Sequence, residues 1–285
     1  MPIPGAARPT ATGRTSDRPG DLSRPPLRLD ALRAPIPRRA GALAADLVEV
    51  ERGLPRAVAR WLRVGGGLQD PGVRIVELGG LRQQKIYRAL AAGPPPPARR
   101  VLARVPRTIA RRVGAHVAIA RKLRRLATPL PGPIRLETAD PAPPKRLRAY
   151  YARAQRRFGI PWNVLAAVNF VESRFGRVLG PSSAGAIGPM QFLPSTWRVY
   201  GRGDIRSPRD SIMAAARFLR ASGAPEDMRG ALYAYNHSYD YVASVLLYAR
   251  EMARDERSFY RYYFWQVFVR TARGDVQLTG PGATR

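Results

Sequence analysis

One carboxylate stands apart in this chain. Glu172 is the only acidic residue between Asp140 and Asp204, and it sits near the end of the run PWNVLAAVNFVESRF, which spells an α-helix. On that helix Leu165 lies seven residues before Glu172 and Val168 four before it. At about 3.6 residues per turn the carboxylate projects on or beside the apolar stripe they form. Burial on such a stripe, together with the negative end of the helix's own dipole, raises a carboxyl pKa. An acid held protonated near neutral pH can give a proton to a leaving oxygen and then take one back. Taken alone, a glutamate in this place more often caps its helix or forms an ion pair, here with Arg174 or Arg177.

Two further stretches carry polar groups at places where helices end. Gly188-Pro189-Met190-Gln191-Phe192 follows a glycine-rich loop, and Ala234-Tyr235-Asn236 closes another helix. Gly185 and Gly188 would let backbone approach a ligand closely, or serve simply as turn glycines. Ser173 either supports the site through a hydrogen bond or faces solvent. Asp204, in the loop YGRGDIRSP, reads as a turn residue before it reads as a second carboxylate. Asp210 belongs to a capping pattern, Ser207-Pro208-Arg209-Asp210. Phe192, Trp197, Tyr233, Tyr239 and Tyr241 could stack on a flat ligand, but in a small helical domain aromatics are more often core. His237 reads as a rim residue and His116 as a surface one.

Several elements must position these groups. Residues 1–41 are rich in Pro, Gly, Thr and Arg without periodicity and read as disordered. Residues 42–127 form a basic helical region. Within it, Ala42 to Leu62 reads as two short helices broken at Pro55, Glu77 to Ala92 as a third, and Ala98 to Leu126 as a fourth, started or kinked at Pro106. That last stretch has ten Lys/Arg and no acid; a helix packed on its neighbours with a solvated Arg face is a better reading than a membrane-seeking arm. Residues 128–144 are a proline-rich linker. Beyond it, residues 145–260 read as helices at Lys145–Phe158, from Pro161, at Pro194, after Ser207, from Pro225 to Tyr235, and at Tyr239–Asp255. Residues 261–285 read as an extension containing a small hairpin or an extended tail. The fold class is all-α.

Composition narrows the chemistry. The chain has no cysteine, which excludes disulfides, thiol nucleophiles and Cys-ligated metals, and its two histidines make a His-rich metal site improbable. The net charge is +29, split as 27 Lys+Arg against 10 Asp+Glu in residues 1–144 and 22 against 10 in residues 145–285. Such a surface attracts polyanions. No apolar run approaches the ~18 residues of a membrane span. The N-terminus also lacks an apolar core of signal-peptide length. Either export does not use the ordinary route, or the true start lies upstream, or a leader was omitted.

With Glu172-Ser173, Gly188-Pro189-Met190-Gln191 and Ala234-Tyr235-Asn236 in this order, the region from Tyr150 to about Met252 resembles the lytic transglycosylases, lysozyme-like enzymes that cut peptidoglycan strands. Pro189 stands where Leu is usual, His237 where a small residue is common, and SSAGAIGPMQFLPSTW is similar to actinobacterial members. The resemblance implies a lysozyme-like helical catalytic domain preceded by the helical N-terminal region, with no metal and no cofactor. It implies that Glu172 is the acid and base, and that Ser173, Gly188, Met190, Gln191, Tyr235 and Asn236 bind substrate. Ordinary glycoside hydrolysis uses two carboxylates. The resemblance implies a single-Glu route instead, in which the bond between N-acetylmuramic acid and N-acetylglucosamine is cut with closure of a 1,6-anhydro ring. A hydrolytic muramidase on the same fold, completed by Asp204 or a positioned water, is the alternative. A non-enzymatic polyanion-binding protein, acting through the Arg-rich N-terminal half, is a more distant one. The implied partners are glycan strands, with anionic wall polymers or an acidic membrane surface as further attractions; nucleic acid gains little support. The implied location is extracytoplasmic or wall-associated, although no signal peptide is visible. Residues 42–127 are expected to wrap the catalytic domain and extend its groove.

Overall fold

Apolar residues at helical spacing build twelve helices among the described residues, followed by one short hairpin. The computed structural model describes residues 27–93, 95–126, 134 and 136–283. The N-terminal group is α1 (Leu29–Arg33), α2 (Ala40–Arg63), α3 (Val73–Ala92), α4 (Pro95–Leu102) and α5 (Arg107–Leu126). The second group is α6 (Pro144–Phe158), α7 (Trp162–Ser173), α8 (Pro194–Tyr200), α9 (Pro208–Ala221), α10 (Met228–Tyr235), α11 (Tyr239–Arg254) and α12 (Arg257–Tyr263). Strands β1 (Phe268–Thr271) and β2 (Gly274–Gln277) pair antiparallel, with Phe268 opposite Gln277. The all-α expectation holds.

Helix α7 is the axis of the second group. It packs on α11, α6 and α9, and Leu165, Ala166, Ala167, Val168, Asn169 and Phe170 are all fully buried. A helix apolar on nearly every side belongs inside a protein. In the first group α3 packs between α2 and α5, while α5 reaches α11 and α12 reaches both α2 and α3. One apolar cluster therefore runs from Leu27 to Trp265. At Gly80 the two groups approach closely, since a Cβ there would meet the Arg261 carbonyl and the Phe264 side chain, each at 3.1 Å.

Buried polar groups tie the two groups together. Glu51 of α2 accepts from Gln83 (2.7 Å) and Tyr87 (2.8 Å) and pairs with Arg112 of α5. Burial works to raise its pKa, but Arg112, Arg261 and Gln83 outweigh burial and hold the carboxyl below its usual range. Glu251 of α11 bonds His116 of α5 at 2.9 Å and accepts from the Tyr262 hydroxyl. Burial opposes ionisation there too, yet His116, Tyr262 and Arg261 together hold Glu251 at about 2. His116 is thus buried, contrary to the surface position expected for it. It falls one turn after Val113 on the buried face of α5.

Four other expectations need correction or restriction. Residues 42–62 are not two helices: α2 runs unbroken through Pro55. A proline there costs about 3 kcal/mol, and burial of Leu47, Val50, Leu54, Val58 and Trp61 along the helix offsets it. Disorder is not seen from residue 27 onward, where Leu27 and Leu32 are buried and α1 forms; residues 1–26 lie outside the described residues, as do residues 128–133 and 135 of the proposed linker. Helix α10 starts at Met228 rather than Pro225, because Asp227 caps it by accepting from the Gly230 amide at 2.8 Å. Helix α12 was not foreseen; it crosses residue 260 and buries Phe259, Tyr262 and Tyr263, and Phe264 and Trp265 beyond it are buried as well.

Candidate active site

Glu172 occupies the last turn of α7, half-buried. Burial raises its pKa to about 7, and the nearby Tyr241 hydroxyl of α11, which has no hydrogen-bond partner among the described residues, opposes the rise. Tyr241 is itself 6% exposed, and its own pKa is raised well above normal by burial first and by the Glu172 charge second. Neither arginine expected as a possible ion-pair partner is engaged with Glu172. Arg174 donates to the Phe170 carbonyl at 2.8 Å, and Arg177 donates to the Tyr263 carbonyl at 3.0 Å and lies 3.6 Å from Asp140.

The chain leaves α7 through strained backbone. Arg174, Phe175 and Gly176 have φ of 55°, 64° and 91°, three successive residues in the left-handed region. Each non-glycine residue there costs about 1–2 kcal/mol. Phe175 offsets its share by burial, with ring centroids 5.4 Å from both Phe170 and Phe259. The third non-glycine residue at positive φ is Gln191, at 48°. All three flank the same site, where strain tends to collect when geometry serves function.

The three sequence elements meet in space through hydrogen bonds. The Ser173 hydroxyl donates to the Pro189 carbonyl (2.6 Å) and accepts from the Gly176 amide (2.8 Å). Asn169 donates to the same Pro189 carbonyl at 2.7 Å and accepts from the Tyr151 hydroxyl at 2.6 Å. The Gly188–Gln191 turn closes with the Gln191 amide on the Gly188 carbonyl at 3.0 Å, and the Gln191 side-chain amide donates to that carbonyl too. Tyr235 donates to the Met190 carbonyl at 2.7 Å and lies parallel to Tyr241, with centroids 6.4 Å apart.

This placement revises several expected roles. Ser173 is 1% exposed and Met190 is fully buried, so neither side chain lines a groove; Ser173 fixes the turn and Met190 anchors it in the core. Gly188 is needed for approach to protein rather than to sugar, since a Cβ would lie 2.1 Å from the Ile205 carbonyl and its φ is +78°. Tyr235 spends its hydroxyl on Met190, leaving Tyr241 as the phenol beside Glu172. Gln191 is half-buried and Asn236 is exposed. Tyr241 carried no distinguishing signal beyond its position five residues after Asn236. Next to Asn236, Tyr239 is 72% exposed and stacks on Tyr233 at 4.7 Å, a surface aromatic pair rather than core. Asp204 accepts from the Arg206 amide at 2.8 Å, as a turn residue does. Ser207 caps α9 as its pattern predicts, but Asp210 accepts from the Asp204 amide instead of completing the box.

All of these groups from Tyr151 to Tyr241 fall in one stretch that matches a known family model. Residues 149–257 match the transglycosylase SLT domain. The C-terminal half of the chain carries an SLT domain. The chain is also distantly related to the membrane-bound lytic murein transglycosylase F of Thiobacillus denitrificans, at 30% identity over 120 residues. That similarity covers 39% of this chain and 25% of the relative, so the chain spans about a quarter of that relative's length. No solved structure matches. Among the described residues no helix is long and apolar enough to cross a membrane.

Proposed function

We propose that this protein is a lytic transglycosylase that cuts the β-1,4 bond between N-acetylmuramic acid and N-acetylglucosamine in peptidoglycan and leaves a 1,6-anhydromuramic end. The observation that carries the reading is a half-buried, unpaired Glu172 with its pKa near 7, inside an SLT domain. At neutral pH such a carboxyl is protonated in a large fraction of molecules and can donate to the leaving glycosidic oxygen. The sugar's acetamido group supports the cation that develops at C1. The carboxylate left behind takes the proton of the muramic 6-hydroxyl, the 6-oxygen bonds to C1, and the acid is restored without water entering the product.

The rest of the site is assigned to positioning. The Tyr241 hydroxyl beside Glu172 favours the ionised form of the carboxyl and so assists release of its proton to the leaving oxygen. The Gly188–Gln191 turn, tied down by Ser173 and Asn169, forms one wall of the groove. Gln191 and Asn236 are the polar side chains left to meet the sugars, and Tyr239 stacked on Tyr233 offers an exposed aromatic face to a sugar ring. Asp204 is occupied as a turn residue, which favours the single-acid route over hydrolysis. The cationic surface would hold the enzyme near anionic wall polymers and stem-peptide carboxylates, which supports work outside the cytoplasm.

Mass spectrometry of purified peptidoglycan digested by the protein tests this reading. Anhydromuramic ends are expected; reducing ends heavier by one water would assign the protein as a hydrolytic muramidase instead.

A further inference from the structure

A second site lies away from the glycan groove. Between α3, α5, α11 and the hairpin is a cavity of about 430 Å³, walled by Tyr87, Tyr248 and Trp265 and edged by Arg88, Arg124, Arg174 and Arg270. Glu172 is not among its lining residues. Its volume falls in the range of about 300–1,000 Å³ usual for small-ligand sites, and its mix of aromatic wall and a few polar groups is that of a binding pocket.

The charges around this cavity do not balance. Arg88 and Arg124 share one carboxylate, Asp275, at 2.5 and 2.7 Å. Arg174 has no carboxylate within reach among the described residues; it holds the Phe170 carbonyl and lies over the Phe170 ring at 4.3 Å. Burial depresses the pKa of Arg174, and that of Arg88 too, there against the opposing pull of Asp275. One carboxylate thus serves two guanidinium groups, and Arg174 stands beside apolar walls with no carboxylate partner among the described residues. A partly desolvated arginine without a counter-ion is costly, and a bound anion would relieve that cost through paired N–H donors.

We propose that this cavity binds a small organic anion, a flat or apolar body bearing one carboxylate, with the carboxylate on Arg174 and the body against Tyr87, Tyr248 and Trp265. The site is independent of the glycan-cutting reading, because it is recognised by binding alone. It also gives the N-terminal helices a role beyond bracing, since α3 and α5 supply more than half of its wall.

Calorimetric titration of the full chain tests the proposal, with 2-naphthoate as probe and 2-naphthalenemethanol as its neutral counterpart. One saturable naphthoate site with a dissociation constant below about 1 mM is expected, with the neutral probe at least about tenfold weaker. Arg174→Gln should weaken naphthoate by about tenfold or more. Should Arg174→Gln fail to fold, Leu123→Glu serves instead. Leu123 lines the cavity and is 40% exposed, so a carboxylate there repels the probe without disturbing the core. No saturable naphthoate heat, equal affinity for the two probes, or wild-type affinity in a variant that still melts cooperatively would overturn the assignment.

Discussion

At the scale of single residues, Glu172 sets the pH behaviour. Its donor form is lost as pH rises through about 7, so cleavage should fall about tenfold per unit above that point. The Tyr241 hydroxyl beside Glu172 lowers the Glu172 pKa, and removing it should raise that pKa further. Tyr241→Phe is therefore predicted to move the alkaline limb of the pH–rate profile upward; an unmoved or lowered limb would show that the two groups do not interact. The same shift makes a stability prediction. The folded carboxyl titrates near 7 against an ordinary 4.5, so the native state binds the proton more tightly. The contribution of Glu172 to stability is complete below about 4.5 and is lost as pH rises through 7. Glu172→Gln should then be more stable than wild type at pH 8, by about 1–3 kcal/mol, with the difference vanishing near pH 4 in denaturant titrations. The position of Glu172 on an apolar stripe was legible from helical spacing alone. Tyr241 was not, because its proximity to Glu172 comes from the packing of α11 on α7, which no local pattern encodes.

At the scale of elements, the end of α7 and the Gly188–Gln191 turn act as one unit. Ser173 links them, and its hydroxyl both donates to Pro189 and accepts from Gly176. Ser173→Ala leaves a buried carbonyl one donor short and an amide without its partner, at a cost of about 1–3 kcal/mol. Thermal and urea unfolding should register that loss, and a change within about 0.5 kcal/mol would mean the link contributes nothing. Elements with clean periodicity and caps were readable, α9 with Ser207 and Pro208 being the plainest. Three features were not. Pro55 suggested a break because its local penalty was visible while the long buried face of α2 that outweighs it was not. Helix α12, the short run RSFYRYY, lacks an apolar stripe because it is buried by α2, α3 and α7 on several sides. His116 looked like a surface residue because its partner Glu251 lies far away in the sequence.

At the scale of the whole molecule, residues 27–126 share one core with the half that carries the SLT domain. Trp61 packs edge-on against Tyr260 and Phe264, Gln84 exchanges hydrogen bonds with Gln266, and His116 hydrogen-bonds Glu251. Residues 136–285 expressed alone would expose Tyr262, Phe264 and Trp265 and leave Glu251 without His116. They should melt non-cooperatively or aggregate, whereas a sharp transition like that of the full chain would mean the N-terminal helices are dispensable. The central claim is that a single carboxyl, tuned by burial, gives and takes the proton in glycan cleavage, and it meets its most direct test in the full chain acting on intact peptidoglycan. The rate of release of soluble muropeptides by wild type and Glu172→Gln decides it. The account predicts a loss of about 10²–10⁴-fold in a variant that folds and still binds the wall; cleavage by Glu172→Gln at the wild-type rate would contradict it.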